Sequence, residues 1–235
     1  MDNIIHTLDP NKIPSISEIS YSHPNPVIPN YIFGEIAELI KGNQRPMESR
    51  IVERVNVGIG INSHNYIIAR ALYDTDEVRL LLTSGEKIFS DVNFWRALSR
   101  VRKEIKVKIL MFNPDSPLIE EREKEAYADK PQGFLADEIR ENIETIKRMS
   151  NYFVKMKKPV NIQCYLYNEP PSFRMTFIGK HRLLVTSYQE RRTGSETVFY
   201  DIISQQMGEL FEGFDREYRR TEVLASPASM GRSSV

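Results

Sequence analysis

The clearest prediction of the fold comes from residues Glu77–Ser116, which read EVRLLLTSGEKIFSDVNFWRALSRVRKEIKVKILMFNPDS. Its first apolar run, Val78–Thr83, ends at Ser84-Gly85 and is typical of a buried strand. A possible capping residue, Asp91, then precedes an apolar stripe at helical spacing, formed by Phe94, Trp95, Leu98, Val101 and Ile105. A second buried strand, Val107–Phe112, stops at a turn-forming segment. The stretch therefore predicts a strand–helix–strand unit.

The chain downstream continues this alternation. One apolar face predicts a long helix and consists of Ile139, Ile143, Ile146, Met149 and Phe153. The other predicted elements are a third strand at Ile162–Leu166, a hairpin of Phe173–Ile178 and Leu183–Ser187 around Gly179-Lys180, a strand at Thr197–Ile202 and a closing helix over Met207–Tyr218. This order favours the α/β class, with a mixed β-sheet and helices on both faces.

The remaining segments suggest how the chain is divided. Residues 1–30 contain five prolines and predict an extended or disordered arm. Residues 31–76 are interpreted as a helical or flap segment, and Arg50–Tyr73 either completes the sheet or forms the flap. Residues 77–222 form the predicted α/β domain, and 223–235 a disordered tail. The acidic run Glu120–Glu125 is interpreted as an exposed helix face.

Composition excludes several classes of function. Lys plus Arg and Asp plus Glu both number 32, which disfavours a non-specific grip on nucleic acid, although a local basic patch stays possible. The same balance disfavours an anionic membrane surface as a partner. No apolar stretch is long enough to span a bilayer, and no signal peptide is visible, so we expect a cytoplasmic protein. The single cysteine, Cys164, is interpreted as a small buried hydrophobe.

Two groups of residues are candidates for ligand binding. In open α/β sheets, ligands bind beyond the carboxyl ends of the strands, where this sequence places Ser84, Asn113 and Asp115. The same residue types also serve as ordinary helix caps and turn formers.

The second group is basic and comprises Arg174 and Arg192, beside the Gly-Ser turn that contains Ser195 and Glu196. Arginine side chains suit bidentate recognition of phosphate or carboxylate. Lys180, His181 and Arg182 are interpreted as a solvated hairpin tip. The four histidines show no metal-pair spacing, so we expect neither a metal nor a cofactor.

From about Val78 to Tyr218 the chain resembles a phospholipase D-like domain in single-half form. It is similar to a module found alone or at the end of some bacterial helix-turn-helix regulators. The similarity rests on three short motifs: Leu110–Ser116, Tyr167–Pro171 and the loop Arg191–Glu196. It implies a phospholipase D-like fold and a pocket for a phosphate-bearing ligand.

The resemblance also bears on catalysis. Active members carry His-x-Lys, an Asp five residues later and Gly-Ser-x-Asn, with the histidine as nucleophile. In this chain the histidine position falls near Ser172, the lysine near Arg174 and the aspartate near Gly179, while Gly-Ser-x-Asn becomes Thr186-Ser187-x-Gln189. The resemblance therefore implies a binding pocket and argues against inherited phosphohistidine chemistry.

Three functions follow as hypotheses. The first is a non-catalytic sensor for an anionic small molecule such as a nucleotide or phosphoester. The second is a structural or interaction protein, a homodimer whose proline-rich arms are exchanged between subunits. The third is a divergent phosphodiesterase or nuclease that uses Glu196 with Arg174 or His181.

Overall fold

The structure, a computed structural model, describes residues 56–59, 61–169, 172–187, 198–206 and 208–228. The predicted arm and residues 31–55 lie outside this part of the chain. The described strands are β1 (Asn56–Ile59), β2 (Glu77–Leu82), β3 (Ile105–Phe112), β4 (Val160–Tyr167), β5 (Phe173–Ile178), β6 (Arg182–Ser187), β7 (Val198–Ile203) and β8 (Ser226–Pro227). The described helices are α1 (Ile61–Ala71), α2 (Glu86–Phe89), α3 (Val92–Arg100), α4 (Ile119–Ala126), α5 (Phe134–Lys155) and α6 (Gly208–Leu224).

The strands form one mixed sheet in the order β1-β7-β6-β5-β2-β3-β4-β8. β2, β3 and β4 are parallel, as strands joined by helical crossovers must be. All other pairings are antiparallel, including the β5–β6 hairpin around Gly179. The predicted mixed sheet of an α/β protein is thus confirmed.

Helices cover both faces of this sheet, as the sequence predicts. On one face, α5 packs against β4, and Trp95 of α3 contacts Phe153 of α5 with ring centroids 6.5 Å apart. We call this the α5 face; α1 also lies on it, through His64. On the opposite α6 face, Phe177 of β5 contacts Phe211 and Tyr218 of α6 edge-on.

A partly buried ion pair links β2 to α6. Arg79 of β2 bonds Asp215 through Nη1 and Oδ1 at 2.6 Å, and its guanidinium lies 4.4 Å from the Phe177 ring centroid and 5.0 Å from that of Tyr218. Burial opposes ionisation of Asp215, but hydrogen bonds from Arg219 and Arg79 outweigh it and hold the pKa of Asp215 below its usual value. A charged side chain inside the apolar β2 run is therefore compensated by carboxylate and aromatic partners.

Several element boundaries differ from those expected. Ile105, assigned to a helical stripe, begins β3, because α3 ends at Arg100 and the backbone at Val101 leaves the helical conformation, with φ −60° and ψ 135°. Of the segment assigned to a disordered tail, Val223 and Leu224 complete α6, and Ser226–Pro227 pair with β4. Within the segment left open between sheet and flap, β1 is an edge strand. Ile67 and Ile68 of α1 and the following Leu72 are buried in the core.

The acidic run on α4 is not uniformly exposed. Glu123 is buried, and its carboxylate accepts hydrogen bonds from the backbone N–H groups of Gly133 at 2.8 Å and Leu135 at 2.7 Å. These N–H groups belong to the first turn of α5, where helix donors have no intrahelical partner. Glu123 therefore caps α5 from another helix, and the interpretation as an exposed face is wrong for this residue.

Candidate functional site

The carboxyl ends of β2, β3 and β4 define one edge of the sheet, which we call the carboxyl edge. β5 runs antiparallel to β2, so its first residues lie at this edge as well. Leu81 pairs with Met175, which places Arg174 one step closer to the edge, beside the end of β2. The N–H of Phe112 donates to the carbonyl of Thr83 at 3.2 Å and ties the ends of β2 and β3 together. Ser84, Asn113 and Arg174 therefore lie at the same edge.

Ser84 is buried at the junction of β2 and α2. Its carbonyl accepts a hydrogen bond from Asn142 of α5 at 3.2 Å. Burial raises the pKa of the neighbouring Glu138, and a hydrogen bond with the Ser84 hydroxyl offsets part of that rise. The following Gly85 has φ +78°, and a Cβ there would lie 2.3 Å from a ring carbon of Phe89. Glycine is thus needed at position 85 in the turn.

Asn113 and Asp115 serve the turn after β3. The Asn113 side chain accepts from the N–H of Asp115 at 3.0 Å and donates to Asn168 Oδ1 at 2.8 Å. Asp115 is exposed and forms an ion pair with Arg140 at 2.8 Å. These contacts join the ends of β3 and β4, as expected of turn formers. The carboxylate of Asp115 pairs with Arg140 and, being acceptor-only, offers no hydrogen-bond donor to an anion.

Arg174 is half-buried on the α5 face of β5. It pairs across the hairpin with Thr186, and its Nη2 donates to Thr186 Oγ1 at 3.2 Å. The two positions that the resemblance assigns to the lysine and to the first glycine are therefore neighbours. β6 ends at Ser187, opposite Phe173, so the chain leaves the sheet at the carboxyl edge. Arg192, Ser195 and Glu196 lie outside the described residues.

Sequence reasoning missed His64 as a neighbour of this site. His64 is completely buried in α1, its Nε2 lies 3.4 Å from Thr176 Oγ1, and its ring packs edge-on against Phe199. Burial, followed by the positive charge of Arg174, lowers the pKa of His64 well below its ordinary value. No local pattern reveals this contact, because 112 residues separate His64 from Thr176.

The hairpin turn lies at the other edge, and the interpretation as a solvated tip fits Lys180 and His181 but is wrong for Arg182, which is half-buried beside the buried Asp201. Lys180 and His181 are exposed, and Gly179 has φ +58° in the turn. Arg182 donates to both carboxylate oxygens of Asp201, at 2.8 and 2.6 Å. A bidentate pair of this kind neutralises the guanidinium. Arg174 alone of these described hairpin cations therefore lies at the carboxyl edge.

Cys164 is buried in β4, on the α5 face, as the sequence predicts. Burial raises the pKa of its thiol to about 12, with a smaller opposing effect from Lys147. The thiolate is the reactive form of cysteine, so a buried thiol with a raised pKa is unreactive. Cys164 therefore serves as a hydrophobic core residue.

Among the described helices, none combines the length and apolar character needed to cross a lipid bilayer. No family model matches the chain, and no curated protein matches its sequence.

Similar solved structures include TrmBL2, an archaeal chromatin protein, with 13% identity, a TM-score of 0.41 and coverage of 85% of this chain and 62% of that one. Phosphatidylserine synthase from Haemophilus influenzae gives 10% identity, a TM-score of 0.46 and coverage of 74% of this chain and 39% of that one. NucT from Helicobacter pylori gives 7% identity, a TM-score of 0.40 and coverage of 74% of this chain and 99% of that one.

Phosphatidylserine synthase and NucT belong to the phospholipase D-like superfamily that the sequence resembles. The chain spans less than two thirds of TrmBL2 and of the synthase. At these scores and identities the likeness carries no argument about what the chain binds, and its membership of that superfamily stays a prediction.

Proposed function

We propose that this domain binds a phosphate-bearing small molecule, a nucleotide or phosphoester, at the carboxyl edge and acts as a sensor of it. The observation that carries the proposal is the position of Arg174, half-buried at this edge beside the Thr186 hydroxyl. A guanidinium in partly desolvated surroundings forms stronger hydrogen bonds to an anion than one in bulk water.

The surroundings of Arg174 support an anionic ligand. His64 lies on the same face, and burial together with the charge of Arg174 keeps its pKa low. A neutral imidazole adds no charge, so Arg174 supplies the positive potential and the hydroxyls of Thr186 and Ser84 supply neutral hydrogen-bonding groups. Asn113, Arg192, Ser195 and Glu196 complete the proposed ligand-binding set as positions at or predicted near this edge.

Binding without turnover is favoured by the missing nucleophile. Ser172 occupies the histidine position of the resembled motif. His64, the nearest described histidine, is fully buried and its Nε2 faces Thr176, so it does not present a free nitrogen to a phosphorus atom. The cytoplasmic location and the arm-exchanged homodimer stay predictions, and the arm lies outside the described residues.

The test is a thermal-shift screen with inorganic phosphate, nucleoside monophosphates and cyclic nucleotides. A ligand at ~100 times its Kd adds about 2.7 kcal/mol of stability. We expect a stabilising compound whose effect is lost in Arg174→Gln and partly kept in Arg174→Lys. The matched control is Lys180→Gln, an exposed cation on the same hairpin, which should respond like the unaltered protein.

Two results would count against the proposal. A shift of equal size in Arg174→Gln would place the ligand elsewhere. The second result is hydrolysis of a phosphodiester that stabilises the protein. If Arg174→Gln abolished that hydrolysis, the domain would be a hydrolase and not a sensor.

A further inference from the structure

The amino ends of β3 and β4, opposite the carboxyl edge, carry a second charged surface. Two connections, each taken with the end of the preceding helix, lead into these strands: residues 96–104, from α3 into β3, and residues 151–159, from α5 into β4. Together they contain seven cations and one carboxylate, Glu104. We call the cations the basic edge; they are Arg96, Arg100, Arg102, Lys103, Lys155, Lys157 and Lys158.

The fold holds the two connections side by side. Ile105 pairs with Val160, and the N–H of Ile105 donates to the carbonyl of Pro159 at 2.9 Å. Adjacent strands lie about 4.8 Å apart, so the residues just before Ile105 and Val160 are neighbours. The contact between Trp95 and Phe153 places α3 against the last turn of α5. The cations thus form one surface, and all are exposed except the half-buried Lys158.

The basic edge is not neutralised within the described chain. Ten described cations elsewhere form ion pairs with carboxylates: Arg79, Lys87, Lys108, Arg122, Lys130, Arg140, Lys147, Arg182, Arg219 and Arg220. None of the seven cations of the basic edge does so with a described carboxylate. In a protein of zero net charge, this segregation leaves the two connections with an excess of six positive charges, since they contain seven cations and one carboxylate.

Lys157 supplies a separate observation. It has φ +52°, the one described non-glycine residue at positive φ, and follows the end of α5. Glycine is the preferred residue at this position after a helix, because a Cβ is strained there. Lys157, an exposed cation of the basic edge, therefore occupies a backbone position where local structure favours glycine.

We propose that the basic edge binds the phosphate backbone of double-stranded DNA. Seven cations match the number of phosphate contacts, roughly 6–10, made by strongly salt-dependent DNA-binding proteins. Three of them are arginines, whose planar forks suit phosphate. Tyr152, Val154 and Met156 are exposed nearby, but the larger anchors that a lipid surface would take, Trp95 and Phe153, are buried in the core. Duplex DNA is therefore favoured over a membrane.

The test measures the anisotropy of a labelled random-sequence DNA duplex against salt concentration. Arg102→Glu/Lys155→Glu should weaken binding at least roughly thirtyfold at ~0.1 M salt and reduce the slope of log K against log salt by about two. Lys124→Glu/Lys180→Glu, which changes the net charge equally at exposed sites elsewhere, should keep most of the affinity. Equal losses in both double variants would contradict the proposal.

Lys157→Gly separates binding from stability. It should raise Tm by roughly 2 °C, because it relieves the positive φ, and yet weaken duplex binding roughly fivefold through one lost phosphate contact. Unchanged affinity in this better-folded variant would overturn the assignment. A parallel experiment uses phosphatidylserine vesicles. If the protein bound the vesicles and not the duplex, the partner of the basic edge would be a lipid surface and the DNA proposal would be wrong.

Discussion

Two glycines with positive φ differ in what surrounds them. Gly85 has φ +78° and no room for a side chain, since a Cβ would meet Phe89 at 2.3 Å. Gly133 has φ +87°, but no atom lies within 4 Å of a Cβ placed there. The backbone strain at the two positions is therefore similar, and only Gly85 adds a steric clash.

This contrast gives a matched pair of variants. Gly133→Ala should cost about 1 kcal/mol of unfolding free energy from backbone strain alone. Gly85→Ala should cost about 3 kcal/mol, because the Phe89 ring must also move within the core. Urea denaturation of both variants measures the difference. Equal losses would mean that the turn after β2 has room that the structure does not give it.

His64 makes the stability of the protein dependent on pH. Its folded-state pKa, lowered by burial and then by Arg174, lies below the unfolded value of about 6.5. Its contribution is therefore complete above pH ~6.5 and declines as the pH falls, because the unfolded chain takes up the proton first.

The effect can be measured by denaturation at two pH values. Between pH ~7.5 and ~5.5 the loss from His64 should be roughly 1.4 kcal/mol. His64→Gln should remove that part of the pH dependence, whereas His181→Gln, on the exposed turn, should retain it. A pH dependence that is the same in His64→Gln as in the unaltered protein would contradict this account of the buried imidazole.

Among the elements, α5 depends on α4 for its N-terminal cap. Glu123 accepts two hydrogen bonds from the first turn of α5. Glu123→Ala should leave those buried donors unsatisfied and cost about 2 kcal/mol. Glu121→Ala, on the exposed side of the same helix, should change stability by less than about 0.5 kcal/mol. Similar effects in thermal unfolding would mean that the cap does not stabilise α5.

At the scale of elements, local pattern predicts most of the fold. The apolar runs of β2 and β3 can be recognised in the sequence because most of their residues are buried on both faces of the covered sheet, and the stripe of α5 because one face of that helix is buried. The end of α3 cannot, since Ile105 continues the helical spacing while its main chain already pairs with β4. The role of Glu123 is hidden for a different reason: its partners lie in another helix, beyond any local pattern.

At the scale of the whole molecule, the candidate site could be predicted in part. The rule that ligands bind at carboxyl ends of strands selects Ser84 and Asn113, and the resemblance selects Arg174. The rule also selects Asp115. It cannot show that this carboxylate pairs with Arg140, which lies 25 residues away in the sequence. His64 joins the site only through the packing of α1 on the sheet, which sequence spacing does not encode.

The two sites that we propose lie at opposite edges of one sheet. The proposed site for a phosphate-bearing small molecule contains Arg174, and the proposed site for duplex DNA is the basic edge. An anion bound beside Arg174 would offset the charge that acts on His64. The pKa of His64 therefore reports whether an anion is bound beside Arg174.

The most direct measurement is the pH titration of the His64 ring resonances by NMR, with and without the most stabilising nucleoside monophosphate. If the anion binds at Arg174, the pKa of His64 rises on binding, because the opposing positive charge is offset. In Arg174→Gln, adding the nucleotide should leave the pKa of His64 unchanged. A nucleotide that binds the unaltered protein without moving this pKa, or that moves it equally in Arg174→Gln, would contradict the account.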